Sequence, residues 1–106
     1  GLEVLSYFTN KKTIAFSRKA RFENGFTEEQ TIYIAPNKNK YDGDLFLLTS
    51  HQTSSASETF ALASLNFPNA KKIGSNTAGI FSDILSKKLP NGWEYTLSNE
   101  IYESVT

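Results

Sequence analysis

The sequence predicts an α/β domain, and three observations carry that expectation. A continuous apolar run, Leu45-Phe46-Leu47-Leu48, is bounded by polar and turn residues and suits a strand buried on both faces. A helical pattern over residues 55–67 (SASETFALASLNF) follows it, and a short strand pattern over 70–74 (AKKIG) comes next. Strand, helix and strand thus occupy roughly 30 residues, the length of a βαβ unit. Farther on, two strand-like segments flank Pro90-Asn91-Gly92, a strong hairpin turn signal.

The elements follow in order. Residues 3–9 (EVLSYFT) read as a strand. Residues 13–23 alternate in part, with Ile14, Phe16 and Phe22 among Lys and Arg, and read as an exposed, bent strand. Asn24-Gly25 marks a turn. Residues 30–35 (QTIYIA) form a strand closed by Pro36. Residues 37–43 (NKNKYDG) are polar loop, and the buried strand spans 44–50 (DLFLLTS). In the helix, Ala56, Phe60, Ala63 and Phe67 line one face and Ala61 and Leu65 a second, so it is expected to be buried nearly all round. Pro68-Asn69 ends it. Residues 75–79 (SNTAG) are a loop. Residues 84–89 and 93–97 form the hairpin, which residues 96–102 extend.

Composition bounds the function. The 106 residues form one domain at most, and 39% apolar content with 21% charged residues excludes a disordered chain or a coiled coil. Eleven basic residues balance eleven acidic ones, which argues against a nucleic-acid or membrane-surface partner held by bulk charge. No apolar run approaches the roughly 20 residues of a membrane span. With no cysteine there is neither a zinc–thiolate site nor a thiol nucleophile, and with one histidine a multi-histidine metal site is excluded. No cofactor is expected. Methionine is absent, so the sequence reads as a piece of a longer chain, residues 1–106 being part of a single core domain.

The informative chemistry lies where the buried strand ends and the helix begins. Ser55 at a helix N-terminus has free N–H groups and a partial positive charge beside it, which suit a developing oxyanion. Nucleophile elbows use such a turn, although the G-x-S-x-G spelling is absent. Ser55-Ala56-Ser57-Glu58 is also a capping box, in which Ser55 bonds the Glu58 N–H and needs no chemistry. Both readings stand at this level, with Ser54 and Ser57 as weaker candidates. His51 lies four residues before Ser55; as a base it must come within roughly 3 Å of the hydroxyl across a tight turn, and the simpler reading is a loop-edge imidazole. Lys71 and Lys72 read as solvated charges more readily than as a base. Asp83, Glu94, Glu100 and Glu103 show no pairing. The loop over 75–79 lacks the phosphate-loop spelling.

Taken together, Leu48-Thr49-Ser50, Ser54-Ser55-Ala56-Ser57-Glu58 and Ile73-Gly74-Ser75-Asn76-Thr77-Ala78-Gly79 resemble the core of the C-terminal processing (tail-specific) serine peptidase family. That family includes the tricorn core protease and the interphotoreceptor retinoid-binding modules. The resemblance spans residues 30–102 and takes in Ile32-Tyr33-Ile34-Ala35-Pro36 and Leu89-Pro90-Asn91-Gly92-Trp93. It implies a Clp protease/crotonase-like core, here partial. It implies Ser55 as nucleophile, the Ala56 N–H as one oxyanion donor, and Thr77 and Gly79 in the substrate loop beside the serine. Tail-specific members carry a general-base lysine directly after the glycine of T-x-G, and here that position is Ile80. The resemblance therefore points to the tricorn-like branch, with a histidine base upstream and a supporting glutamate downstream. Both are expected outside residues 1–106, which leaves Glu100 and Glu103 without that role and this piece inactive by itself.

The function expected is that of a serine endopeptidase core acting on peptides or unfolded protein tails, the substrate lying as an extended strand. Family habit implies an extracytoplasmic place in bacteria. The alternative is a non-catalytic module of the same fold that binds an apolar ligand or a protein. A crotonase-like acyl-CoA enzyme is a third reading, but nothing positions a CoA.

Overall fold

A computed structural model describes residues 1–105. Its elements are a 3₁₀ helix (Leu2–Phe8), β1 (Thr13–Phe22), β2 (Gly25–Phe26), β3 (Gln30–Ile34), β4 (Leu45–Thr49), α1 (Ala56–Ser64), β5 (Ala70–Gly74), β6 (Ile84–Lys88), β7 (Glu94–Ser98) and β8 (Glu100–Glu103). The fold is mixed α/β, with three sheets and one α-helix among the described residues.

The largest sheet is four-stranded and antiparallel, built around β1. β3 pairs along one edge of β1, from Thr13↔Ile34 to Arg18↔Gln30, and β8 along the other, from Ser17↔Glu103 to Ala20↔Glu100. The register with β3 shifts between Ile14 and Phe16, which aligns Ala15 and Phe16 with the core. Residues 13–23 are therefore not an exposed strand. Flanked on both edges, β1 buries Ala15, Phe16 and Ser17 completely or nearly so, and only its far end is open. The hairpin to β2 turns at Glu23-Asn24, with Glu23 at φ 50°.

Residues 3–8 lie in the 3₁₀ helix and not in a strand, with Thr9 extended as its C-cap. Leu2, Leu5 and Phe8 recur every third residue, which stacks them on one face of a 3₁₀ helix. That face lies against the core, where Leu5 is fully buried. The polar loop after β3 is tied back to this helix by Asn37 N–H to the Ser6 carbonyl at 2.9 Å and Tyr41 N–H to the Tyr7 carbonyl at 2.6 Å.

β4, α1 and β5 form the expected βαβ unit, the strands parallel from Leu45↔Ala70 to Thr49↔Gly74. Two expectations are corrected. β4 is not buried on both faces: Leu45, Leu47 and Thr49 turn inward, while Phe46 and Leu48 are 56% and 75% exposed. α1 is not buried all round either. Glu58, Ala61, Ala63 and Ser64 are buried, but Ala56 and Leu65 are exposed. One core joins the 3₁₀ helix, the β1 sheet and α1 through Leu5, Ala15, Phe16, Ile34, Ala63 and Phe67, and β4 and β5 reach it through Leu45 and Ala70.

Gly74 closes β5 at φ 117°, where a Cβ would stand 2.0 Å from the Thr49 carbonyl oxygen. Only glycine lets β5 leave the sheet here, and Thr49 Oγ then fastens the next residue by donating to the Ser75 carbonyl at 2.8 Å. β6 and β7 form the expected hairpin, from Ile84↔Ser98 to Lys88↔Glu94. Residues 96–102 do not extend it. The chain breaks after Ser98, and β8 crosses to β1. No helix among the described residues is long and apolar enough to cross a membrane.

Candidate active site

The turn between β4 and α1 is built by short polar side chains. Thr53 Oγ accepts the Ser50 N–H at 3.0 Å, and the Thr53 N–H returns to the Ser50 carbonyl at 2.9 Å. His51 stands on this turn, exposed, and no hydrogen bond joins it to Ser55 among the described residues. The structure does not bring the chain's histidine to the serine. Ser54 is half-buried before the helix, and Ser57 is exposed in its first turn.

Ser55 is the N-cap of α1, with φ 57° and ψ −127°. A residue with a Cβ adopts this backbone at a cost of about 1–3 kcal/mol, and it survives only where neighbours over-determine it. The Ser55–Glu58 capping box is present. The Glu58 carboxylate accepts the Ser55 N–H at 3.1 Å, and the Glu58 N–H reaches the Ser55 carbonyl oxygen at 2.8 Å. The Ser55 N–H also meets the Ile80 carbonyl at 2.8 Å. Ala56, the first helical residue, directs an N–H that has no acceptor among the described residues. Ser55 opens on a cleft of about 470 Å³, walled by Ile80, Ser82, Asp83, Ile84 and Leu97.

Glu58 is the residue whose reach the sequence reading missed. Beyond the cap, its Oε1 accepts the Gly79 N–H at 2.5 Å and its Oε2 the Ile80 N–H at 2.7 Å. It is inaccessible to solvent. Burial pushes its carboxyl up, but the Thr77 hydroxyl and the N–H groups of Gly79, Ile80 and Ser55 outweigh that and hold it below the usual glutamate value of 4.5. The signal was available: Glu58 shares a helix face with Ala61 and Leu65, and an acid on an apolar stripe needs donors from elsewhere.

The loop over 75–79 therefore lies against the serine turn. The Ala78 N–H adds a bond to the Thr53 carbonyl at 2.9 Å. Thr77 and Gly79 face Glu58, and Gly79 adopts φ 80°. Lys72 lines a small cavity of about 120 Å³ with Glu58, Thr77 and Phe81, without an ion pair to the carboxylate among the described residues. Lys71 turns to the opposite face, 2.6 Å from Asp44 and over the Phe46 ring.

The carboxylates farther along do not form a catalytic pair. Asp83 walls the cleft, while its N–H bonds Glu100 at 3.3 Å. Glu100 accepts the Tyr102 hydroxyl at 2.9 Å and lies 3.9 Å from Arg18. Glu94 is exposed in the hairpin, and Glu103 pairs with Lys19 at 3.4 Å. No group of three metal-binding side chains occurs among the described residues. The arrangement offers a serine on a strained turn, one free N–H beside it, an adjoining cleft and a buried carboxylate beneath.

Comparison with known proteins bears on this geometry. The profile of peptidase family S41 matches residues 1–105. A solved structure of a candidate peptidase from Parabacteroides merdae superposes with a TM-score of 0.86 at 23% identity, over 96% of this chain and 34% of that one. A lipoprotein from Streptococcus agalactiae superposes at 0.67 with 22% identity, over 98% of this chain and 38% of that one. The chain thus spans little more than a third of the structures it resembles. No curated protein sequence matches it.

Proposed function

The chain belongs to peptidase family S41, and from that membership we propose that it forms part of a serine endopeptidase core with Ser55 as nucleophile. The observation that carries the proposal is the Ser55 turn: φ 57° at a helix N-cap, open to a cleft of about 470 Å³. Elbows of this shape expose Oγ at the end of a strand and set the next N–H beside it.

In the proposed reaction, Ser55 Oγ attacks the peptide carbonyl carbon while a base takes its proton. The Ala56 N–H donates to the oxyanion. The proton passes to the leaving amine as the C–N bond breaks, and water then hydrolyses the acyl ester. No imidazole, amine or carboxylate among the described residues hydrogen-bonds the Ser55 hydroxyl. With Ile80 in the place of the tail-specific lysine, the proposal takes the tricorn-like arrangement, its histidine and supporting glutamate lying outside these 106 residues. The enclosing fold is then Clp/crotonase-like. Thr77 and Gly79 serve as the loop beside the serine, and the substrate is an extended, unfolded tail. An extracytoplasmic place accords with the lipoprotein of similar fold.

The test is cleavage of an unstructured peptide by the full protein that carries this chain. Turnover that disappears in Ser55→Ala supports the proposal. A folded wild-type protein without turnover favours the non-catalytic binding module, for which the bare apolar face of Phe46 and Leu48 is the relevant observation.

A further inference from the structure

Resting on the reading of Ser55 as nucleophile, we propose that Glu58 is a positioning residue of that site: its inaccessible carboxylate fastens the Ser55 turn to residues 77–80 and so sets where the Ser55 hydroxyl and the Ala56 N–H face the cleft. A capping box accounts for one of its bonds, the Ser55 N–H at 3.1 Å. The others leave the helix and cross to the loop, to the N–H groups of Gly79 at 2.5 Å and Ile80 at 2.7 Å, and Thr77 lines the same small cavity as the carboxylate. A helix needs none of these.

The joint is latched in both directions, because the Ser55 N–H also donates to the Ile80 carbonyl at 2.8 Å. Its donors are main-chain N–H groups, with no cation paired to the carboxylate among the described residues. An inaccessible carboxylate satisfied this way is rigid: each oxygen accepts from fixed backbone, and charge strengthens every bond. Rigidity is what the Ser55 backbone requires, since its positive φ relaxes unless neighbours hold it. Small displacements of a reacting group carry large rate penalties, so this joint acts on kcat and not on substrate binding.

The experiment measures kcat per fluorophosphonate-titratable serine and KM with an unstructured peptide, in the full protein. Glu58→Gln keeps the size but turns an amide NH₂ toward backbone donors. Its expected effect is a fall in kcat of roughly tenfold or more, with KM within about threefold of wild type. Glu58→Asp, which keeps the charge on a shorter arm, is expected to recover part of the loss. Thr77→Val removes the hydroxyl beside the carboxylate at constant shape and is expected to lower kcat about two- to fivefold; it decides the question if Glu58→Gln fails to fold. A purely structural role would lower the number of titratable serines and leave kcat per serine unchanged. That result, in Glu58→Gln or in Thr77→Val as its substitute, overturns the positioning role while leaving the peptidase reading standing. A wild-type protein that neither cleaves nor titrates overturns both.

Discussion

Ser55 holds φ 57° and ψ −127°, a backbone better suited to glycine. Ser55→Ala keeps that strain and removes the hydroxyl, whereas Ser55→Gly releases it, and glycine is also the better N-cap. Thermal unfolding is expected to place Ser55→Gly above Ser55→Ala, by roughly 1 kcal/mol, with neither variant active. The opposite order would show that the turn is unstrained. Glu58 makes stability depend on pH. Its folded value lies below the usual 4.5, so its contribution is present above that value and is lost as pH falls through the lowered one. Denaturant titrations are expected to show stability falling below the usual value in wild type, with a smaller slope in Glu58→Gln. At Gly74, a Cβ placed 2.0 Å from the Thr49 carbonyl at φ 117° leaves no room for relaxation. Gly74→Ala is expected to lower stability by more than about 1 kcal/mol, while Gly25→Ala, with open space around it, tests the glycine effect without the clash.

The joint between β8 and the hairpin depends on one hydroxyl. Ser82 Oγ accepts the N–H groups of Asn99 at 3.1 Å and Glu100 at 3.0 Å and donates to the Asp83 carbonyl at 2.8 Å. Ser82→Ala strands those donors and is expected to destabilise by about 1–3 kcal/mol in a thermal melt. It also loosens a wall of the Ser55 cleft. This joint was illegible in the sequence, since residues 96–102 continue one alternating pattern and only the crossing to β1 shows that Asn99 breaks it. The 3₁₀ helix was misread for a related reason. Val4, Tyr7, Phe8 and Thr9 carry β-propensity, and it outvoted the spacing of Leu2, Leu5 and Phe8. Where pattern and turn chemistry agreed, as at Pro90-Asn91-Gly92 and across β4, α1 and β5, the sequence was sufficient.

The molecule is elongated, 56 × 29 × 22 Å, with a radius of gyration of 16.3 Å against about 13 Å for a compact domain of this length. The apolar run of β4 predicted burial on two faces, yet Phe46, Leu48 and Ile73 stand 56%, 75% and 50% exposed on one of them. The isolated chain is therefore expected to self-associate, and Leu48→Glu to reduce that association in sedimentation without lowering the melting temperature. The site was partly legible. The S-A-S-E and G-x-x-T-x-G segments proved to be neighbours, because Glu58 of the first binds Gly79 of the second. That the Glu58 carboxylate needs outside donors was legible from its apolar helix face, but which groups supply them was not, for they come through tertiary contacts across 21 residues. The central claim is that Ser55 is a nucleophile held on a strained turn. Fluorophosphonate labelling of the full protein with peptide mapping tests it most directly. The expected result is a label on Ser55 that Ser55→Ala abolishes; a folded protein left unlabelled at Ser55 would reduce that serine to a helix cap and contradict the account.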